Sequence, residues 1–352
     1  LSNNKFNFEE SLNLTNANYT TPYWLNKKGT LGMYEVDDRV LIGQPETPRD
    51  IHVTFNLRIN NMPISFKKDV VYRYSKPDKG ELYRPLEIIP EVSASITEKV
   101  IIFDNDQQQN IQVKVRAGKD GVDGHIQLAY PEGWTTYPNK QRIKLNNKDE
   151  EQLLTFTIIP PKNQSEGYIT PIVSVGDNVY TKELVEISYE HIPFQTVLLP
   201  SQSKVVRINL EKRGENIAYI EGAGDVVPES LQQIGYQVVK LKPEDISAKS
   251  LSRFDAVVLG IRAYNVLDEL KFKQQLLFDY VEKGGNMIVQ YNTNRGIKVA
   301  QLAPYPLKLS RDRVTDENSE VRIIQPNHEL LNFPNKITQE DFKGWTQETG
   351  LY

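Results

Sequence analysis

The chain of 352 residues contains no cysteine. That absence excludes a thiol nucleophile, an Fe–S cluster, a Cys-ligated zinc site and any disulfide framework. Histidine is scarce as well. The four residues His52, His125, His191 and His328 are scattered and leave little room for a histidine-rich metal centre. No apolar run approaches the roughly 20 residues of a membrane-spanning helix. Neither sign of charge dominates: 42 basic and 46 acidic side chains give a net charge of −4. Nothing in that balance suggests a nucleic-acid-binding surface. No basic-then-apolar leader opens the chain, so any export signal is expected to have been removed or to lie outside this sequence. A length of this order implies two or three domains, each able to fold without disulfides or metals.

What is present falls into two patterns. Up to about Leu199 the sequence is written as short alternating runs rich in Val, Ile, Thr and Tyr, such as Ile51 to Ile59, Asp69 to Tyr74, Ile111 to Val115, Leu153 to Ile158 and Tyr180 to Ile187. Alternation with period 2 marks half-buried strands. Asn60-Asn61, Gly121 and Gly176-Asp177-Asn178 supply the turns. Many short strands at this spacing predict β-sandwiches. Pro77, Gly80, Pro85 and Pro90 form a boundary between two of them. The expected units are a β-sandwich over 1–88, with its first strands expected upstream of this sequence, and an immunoglobulin-like β-sandwich over 89–198.

After Pro200 the pattern becomes strand and helix in alternation. Asn216 to Ile220 is a short apolar strand, and Asp225, Pro228 and Gly235 start and stop a helix after it. Gln237 to Leu241, Phe254 to Gly260 and Asn286 to Tyr291 are further strands. A helix opening at Asp268 precedes the last of these and ends at Gly284-Gly285. Val321 to Ile324 reads as an added edge strand. This alternation predicts a doubly wound α/β domain over 199–352, flavodoxin-like in kind. The sequence reaches no obvious closing strand and helix, so the domain is expected to be cut short.

Several segments together are distinctive: Thr21-Pro22-Tyr23-Trp24-Leu25, Gly222-Ala223-Gly224-Asp225, Leu259 to Asn265, Pro304 to Thr315, and the stretch from Pro326 onward with Asn327-His328, Asn332-Phe333-Pro334-Asn335 and Gly344-Trp345. The set resembles the long C-terminal region of PIG-L (LmbE-like) family deacetylases from Bacteroidetes, over nearly the whole chain. In those proteins an N-terminal zinc domain, marked by Ala-His-Pro-Asp-Asp, acts on N-acetylglucosamine-type amides. That motif does not occur here. The resemblance therefore implies an accessory half with no catalytic or metal-ligating residue of its own, and zinc in the absent catalytic domain. Within the chain, residues 90–190, with Tyr130 to Trp134 and Ile159-Pro160-Pro161, look like the NPCBM-associated β-sandwich found beside glycosidase domains. Residues 214–352 are similar to class I glutamine amidotransferase-like domains, including degenerate ones in some β-galactosidases and the ThuA-like group. The strand end aligned with the amidotransferase nucleophile reads Val289-Gln290-Tyr291-Asn292-Thr293-Asn294, and with no Cys the glutaminase reaction is excluded on that alignment.

Candidate ligand-binding residues cluster after the strands of the α/β domain, where open parallel sheets bind ligands. Gly222, Gly224 and Asp225 can present backbone N–H groups to an anion, or form a tight βα turn with Asp225 as the helix cap. Arg262, Tyr264 and Asn265 follow the third strand, and Asn292 and Asn294 the fourth. Arg311 and Arg313 can hold a carboxylate or phosphate, or pair internally with Asp312, Asp316 or Glu317. His328 is an acid–base candidate or a hydrogen-bonded loop residue. Trp134, after Gly133, can stack on a sugar or plug the core of a sandwich.

These observations lead to one expectation and one competitor. The expected role is a non-catalytic region of a cell-envelope or periplasmic deacetylase. Its partners would be its own N-terminal domain and a glycan, it would bind no nucleic acid, and oligomers would be possible. The competitor is a hydrolytic or sugar-modifying site in the 222/262/292 crevice, which requires Arg262, Arg311 and His328 to converge. Pure structure, with the last domain as an oligomerisation unit, is a third reading.

Overall fold

The structure, a computed structural model, describes residues 7–11, 18–30, 33–49, 51–310, 312, 314–316 and 318–344. It is mainly β, built from several sheets. The chain divides into two compact units. One comprises Leu1–Lys99, Gln108–Ile159 and Tyr168–Lys204, and the other Val100–Gln107, Pro160–Gly167 and Val205–Tyr352.

In the first unit, β1 (His52–Ile59) and β2 (Met62–Asp69) form an antiparallel hairpin. Asn60 and Asn61 close it with φ of 47° and 65°, the left-handed pair that a two-residue primed turn requires. A second hairpin joins β3 (Val71–Lys76) to β4 (Gly80–Pro85). The strands among the described residues of 1–88 form these two separate two-stranded sheets. The strands are where the alternation puts them. Val53, Phe55, Leu57 and Ile59 share one face with Met62, Ile64 and Phe66, and among the described residues that face stays open: Phe55 is 48% exposed and Leu57 47%.

The next strands are β5 (Val92–Ile96), β6 (Val100–Phe103), β7 (Gln109–Ala117), β8 (Val122–Ala129), β9 (Thr135–Tyr137), β10 (Gln141–Leu145), β11 (Glu151–Ile159), β12 (Ser165–Val175), β13 (Asn178–Tyr180), β14 (Lys182–Ile187), β15 (Gln195–Pro200) and β16 (Ser203–Arg207). One sheet runs β5-β7-β11-β9, and a second begins β10-β8-β12. Alternate residues are buried along β7 and β8, so each strand sends one face inward. Phe156, Ile126, Ile143 and Ile169 fill the core without exposure. Trp134 is 1% exposed, which makes it a core plug and removes it as a sugar platform.

The second unit holds a four-stranded parallel sheet. Its strands are β17 (Asn216–Ile220), β18 (Gln237–Lys240), β19 (Ala256–Leu259) and β20 (Asn286–Val289), in the order β18-β17-β19-β20. Helices α1 (Val227–Gln233), α2 (Ala248–Leu251), α3 (Ala263–Val266) and α4 (Leu270–Glu282) lie in the connections. Ala218, Ile220, Val257 and Leu259 pack with Leu251, Leu270 and Leu277 on one side of the sheet. Ile217, Tyr219 and Val258 pack with Val227 and Leu231 of α1 on the other. A strand apolar on both faces is what a parallel sheet between helices needs. Gly235 and Gly284, at φ of 86° and 92°, end α1 and α4. Val321 to Ile324 form no strand, which corrects the expected edge strand: Ile324 is 90% exposed, and the local alternation finds no neighbour to pair with.

Candidate functional site

The parallel strands deliver three loops to one end of the sheet: 221–225 after β17, 260–262 after β19 and 290–294 after β20. The first two approach closely. A Cβ on Gly222 would lie 2.1 Å from the Ile261 carbonyl oxygen and 2.8 Å from the Ala263 nitrogen, so only glycine fits. The Ala223 N–H donates to the same carbonyl at 2.8 Å. Gly224 has a φ of 98°, which a side chain would strain.

Asp225 sits at the centre of a closed network. Its carboxylate accepts the Tyr219 hydroxyl at 2.6 Å, the Val227 N–H at 2.9 Å and the Ile261 N–H at 3.2 Å. Gln290 Nε2 donates to the Tyr219 hydroxyl oxygen at 2.8 Å. Burial alone would raise the Asp225 pKa. The hydrogen bonds from Tyr219, Val227 and Ile261 outweigh it and hold the carboxyl below its ordinary range. Burial, then the bond to Asp225, pushes the Tyr219 phenol upward. Asp225 is thus a fixed anion that anchors the first turn of α1 to the β19 loop.

The asparagines act as staples. Asn292 is buried, accepts the Tyr264 N–H at 3.0 Å and donates to the Gln290 carbonyl at 2.8 Å. Asn265 donates to the Thr293 and Arg295 carbonyls at 3.1 and 3.0 Å and accepts the Thr293 N–H at 2.9 Å. Tyr264 is fully buried. Burial pushes its pKa up to about 12. Asn294 is half-buried.

Arg262 occupies the strand-to-helix elbow in a left-handed conformation, φ 59° and ψ 21°. Its N–H donates to the Tyr291 carbonyl at 2.6 Å, which locks the turn. Its guanidinium makes no ion pair among the described residues. Left-handed backbone at a side-chain-bearing residue carries strain that the surrounding bonds must hold.

The structure brings Gly222, Gly224, Asp225, Arg262, Tyr264, Asn265, Asn292 and Asn294 to one sheet end. It does not bring His328 there. His328 Nδ1 accepts the Leu330 N–H at 3.2 Å and caps the short turn Glu329–Leu331. Asn335, just beyond that turn, exchanges hydrogen bonds with Glu211, on the segment that enters the opposite end of β17. Arg311 and Arg313 lie outside the described residues. Among the described residues no three His, Cys, Asp or Glu side chains are grouped to hold a metal ion.

Two of the hollows are large, and neither is at this sheet end. One of about 1330 Å³ lies at the start of the parallel strands, with Gly214, Ile217, Asp255 and Ile288 in its lining. Another of about 580 Å³ lies in the first unit. Tyr219 and Gln290, which complete the Asp225 network, were missed from the sequence. The signal for both was a polar group in or just after an apolar strand.

No family model matches the chain, and no curated protein does. Solved structures with some likeness include a protein of unknown function from Porphyromonas gingivalis W83, at 9% identity and a TM-score of 0.20. That match covers 37% of this chain and 60% of the other. Another is a family 123 glycoside hydrolase from Clostridium perfringens described for glycolipid glycan hydrolysis, at 8% identity and a TM-score of 0.21. It covers 56% of this chain and 37% of the other. The chain therefore spans less than two thirds of either structure's length, and likeness at this level carries no argument about function.

Proposed function

We propose that this chain is a non-catalytic accessory region of a cell-envelope PIG-L family deacetylase, positioning the catalytic domain on glycan or assisting its assembly. Zinc would belong to that catalytic domain. The reading rests first on the motif resemblance. In the structure, the single supporting observation is the consumption of the polar groups at the sheet end: Asp225, Asn265 and Asn292 bond to the loops themselves. The parallel order β18-β17-β19-β20, with helices on both sides, fits a flavodoxin-like, amidotransferase-like domain. The buried alternation of β7 to β12 fits an immunoglobulin-like, NPCBM-associated-like sandwich. The test is to assay the chain on N-acetylglucosamine substrates with and without zinc, beside the chain joined to a PIG-L catalytic domain. Turnover is expected only from the joined protein, and robust turnover by the chain alone would overturn the reading.

A further inference from the structure

The rungs of the β1–β2 hairpin alternate in chemistry. Phe55 lies opposite Phe66, Leu57 opposite Ile64 and Ile59 opposite Met62, and these pairs share one face with Val53. The intervening rungs, Thr54–Lys67, Asn56–Ser65 and Arg58–Pro63, form the other face, where the Ser65 hydroxyl donates to Asn56 Oδ1 at 3.0 Å. A two-stranded sheet with this alternation is half of a sandwich. Its polar face suits water, and its apolar face needs a second layer.

The described residues do not supply that layer. Val53, Phe55, Leu57, Ile59, Met62 and Phe66 are 46% to 64% exposed. At on the order of 100 Å² each, these six present roughly 600 Å² of apolar surface, the upper end for the largest patch on a typical monomer. The charged side chain on this face is Lys68, exposed and opposite Val53 at the end away from the Asn60-Asn61 turn.

We infer that this face packs against the same face of a second copy of the chain. Two such faces together bury about 1,200 Å², the lower bound of a standard specific interface. The face complements itself: apolar pairs meet apolar pairs across a two-fold axis, and no ion pair is desolvated. Lys68 sets the orientation. With the hairpins antiparallel, each ammonium comes to the turn of the other copy, where backbone carbonyls can accept from it. A parallel arrangement would set the two ammonium groups together. A lipid surface fits less well, because the face carries no Trp or Tyr to anchor at a headgroup boundary. The inference stands apart from the accessory reading and needs none of it.

Sedimentation equilibrium of the whole chain tests it. At about 50 μM, which populates contacts of micromolar strength, the wild type is expected at twice the 40.4 kDa of one copy. Leu57→Lys and Met62→Lys place an ammonium in the contact and are each expected to weaken association at least about tenfold. Phe272→Lys, on an exposed helix site in the other unit, is expected to leave it unchanged. The hairpin is paired within each copy, so the lysine variants act on association and leave the unfolding of the dilute single copy nearly as it was. Because the chain has no cysteine, Leu57→Cys gives a single thiol. A short bis-maleimide is expected to join two copies through it, but not through Asn56→Cys on the polar face. A single-copy mass for the wild type, with or without flotation on phosphatidylcholine vesicles, would overturn the inference. So would association undiminished by both lysine variants, or equal cross-linking through Asn56→Cys. The accessory reading fails separately, by turnover of the isolated chain.

Discussion

Asp225 shows how one residue can match a ligand-binding motif and serve the fold. A carboxylate beside two glycines at a strand end fits an anion loop or a helix cap equally well, and its partners decide the matter. Asp225→Asn removes the charge from three hydrogen bonds and is expected to destabilise the protein by about 1–3 kcal/mol, read by chemical denaturation. The folded pKa lies below the unfolded one, so the stabilisation is complete above roughly pH 4, the unfolded value, and is lost as pH falls through the lower folded value. The melting-temperature gap between wild type and Asp225→Asn is therefore expected to hold from pH 7 to pH 5 and to close below pH 4. A gap that stays constant into acid would contradict this network.

Among the elements, loop contacts and strand burial set the costs. Gly222→Ala places a methyl group against the Ile261 backbone and is expected to cost about 1–3 kcal/mol by forcing the β17 and β19 loops apart. The strands of the hairpin β1–β2 and those of the sandwich carry the same alternation, but their burial differs. Leu57→Lys, on the open hairpin face, is expected to change stability by no more than about 0.5 kcal/mol. Phe156→Ala, in the sandwich core, is expected to cost about 3–5 kcal/mol. Equal losses in thermal denaturation would show the hairpin face to be covered. The alternation made these strands legible in the sequence, and Gly235, Gly284 and Asp225 made the helix limits legible too. The pairing was not legible, because a period of two says which side chains share a face and nothing about what lies over it. Val321 to Ile324 failed for the same reason: local alternation without a neighbouring edge leaves no ladder to join.

For the molecule as a whole, near-balanced charge governs solution behaviour. A net charge of −4 at pH 7 and an isoelectric point near 5.8 predict a solubility minimum close to pH 5.8, measurable by turbidity across pH 4.5 to 8. By itself the sequence determined the absence of thiol chemistry, the change from alternating strands to strand-and-helix repeats near residue 200, and the convergence of the 222, 262 and 292 loops on one sheet end, because composition and periodicity are local properties. Only the tertiary structure decided that Asn265 and Asn292 are staples and that His328 belongs to the other end of β17. A polar side chain's role depends on whether its hydrogen-bond partners are protein or open space, and those partners are set by residues distant along the chain.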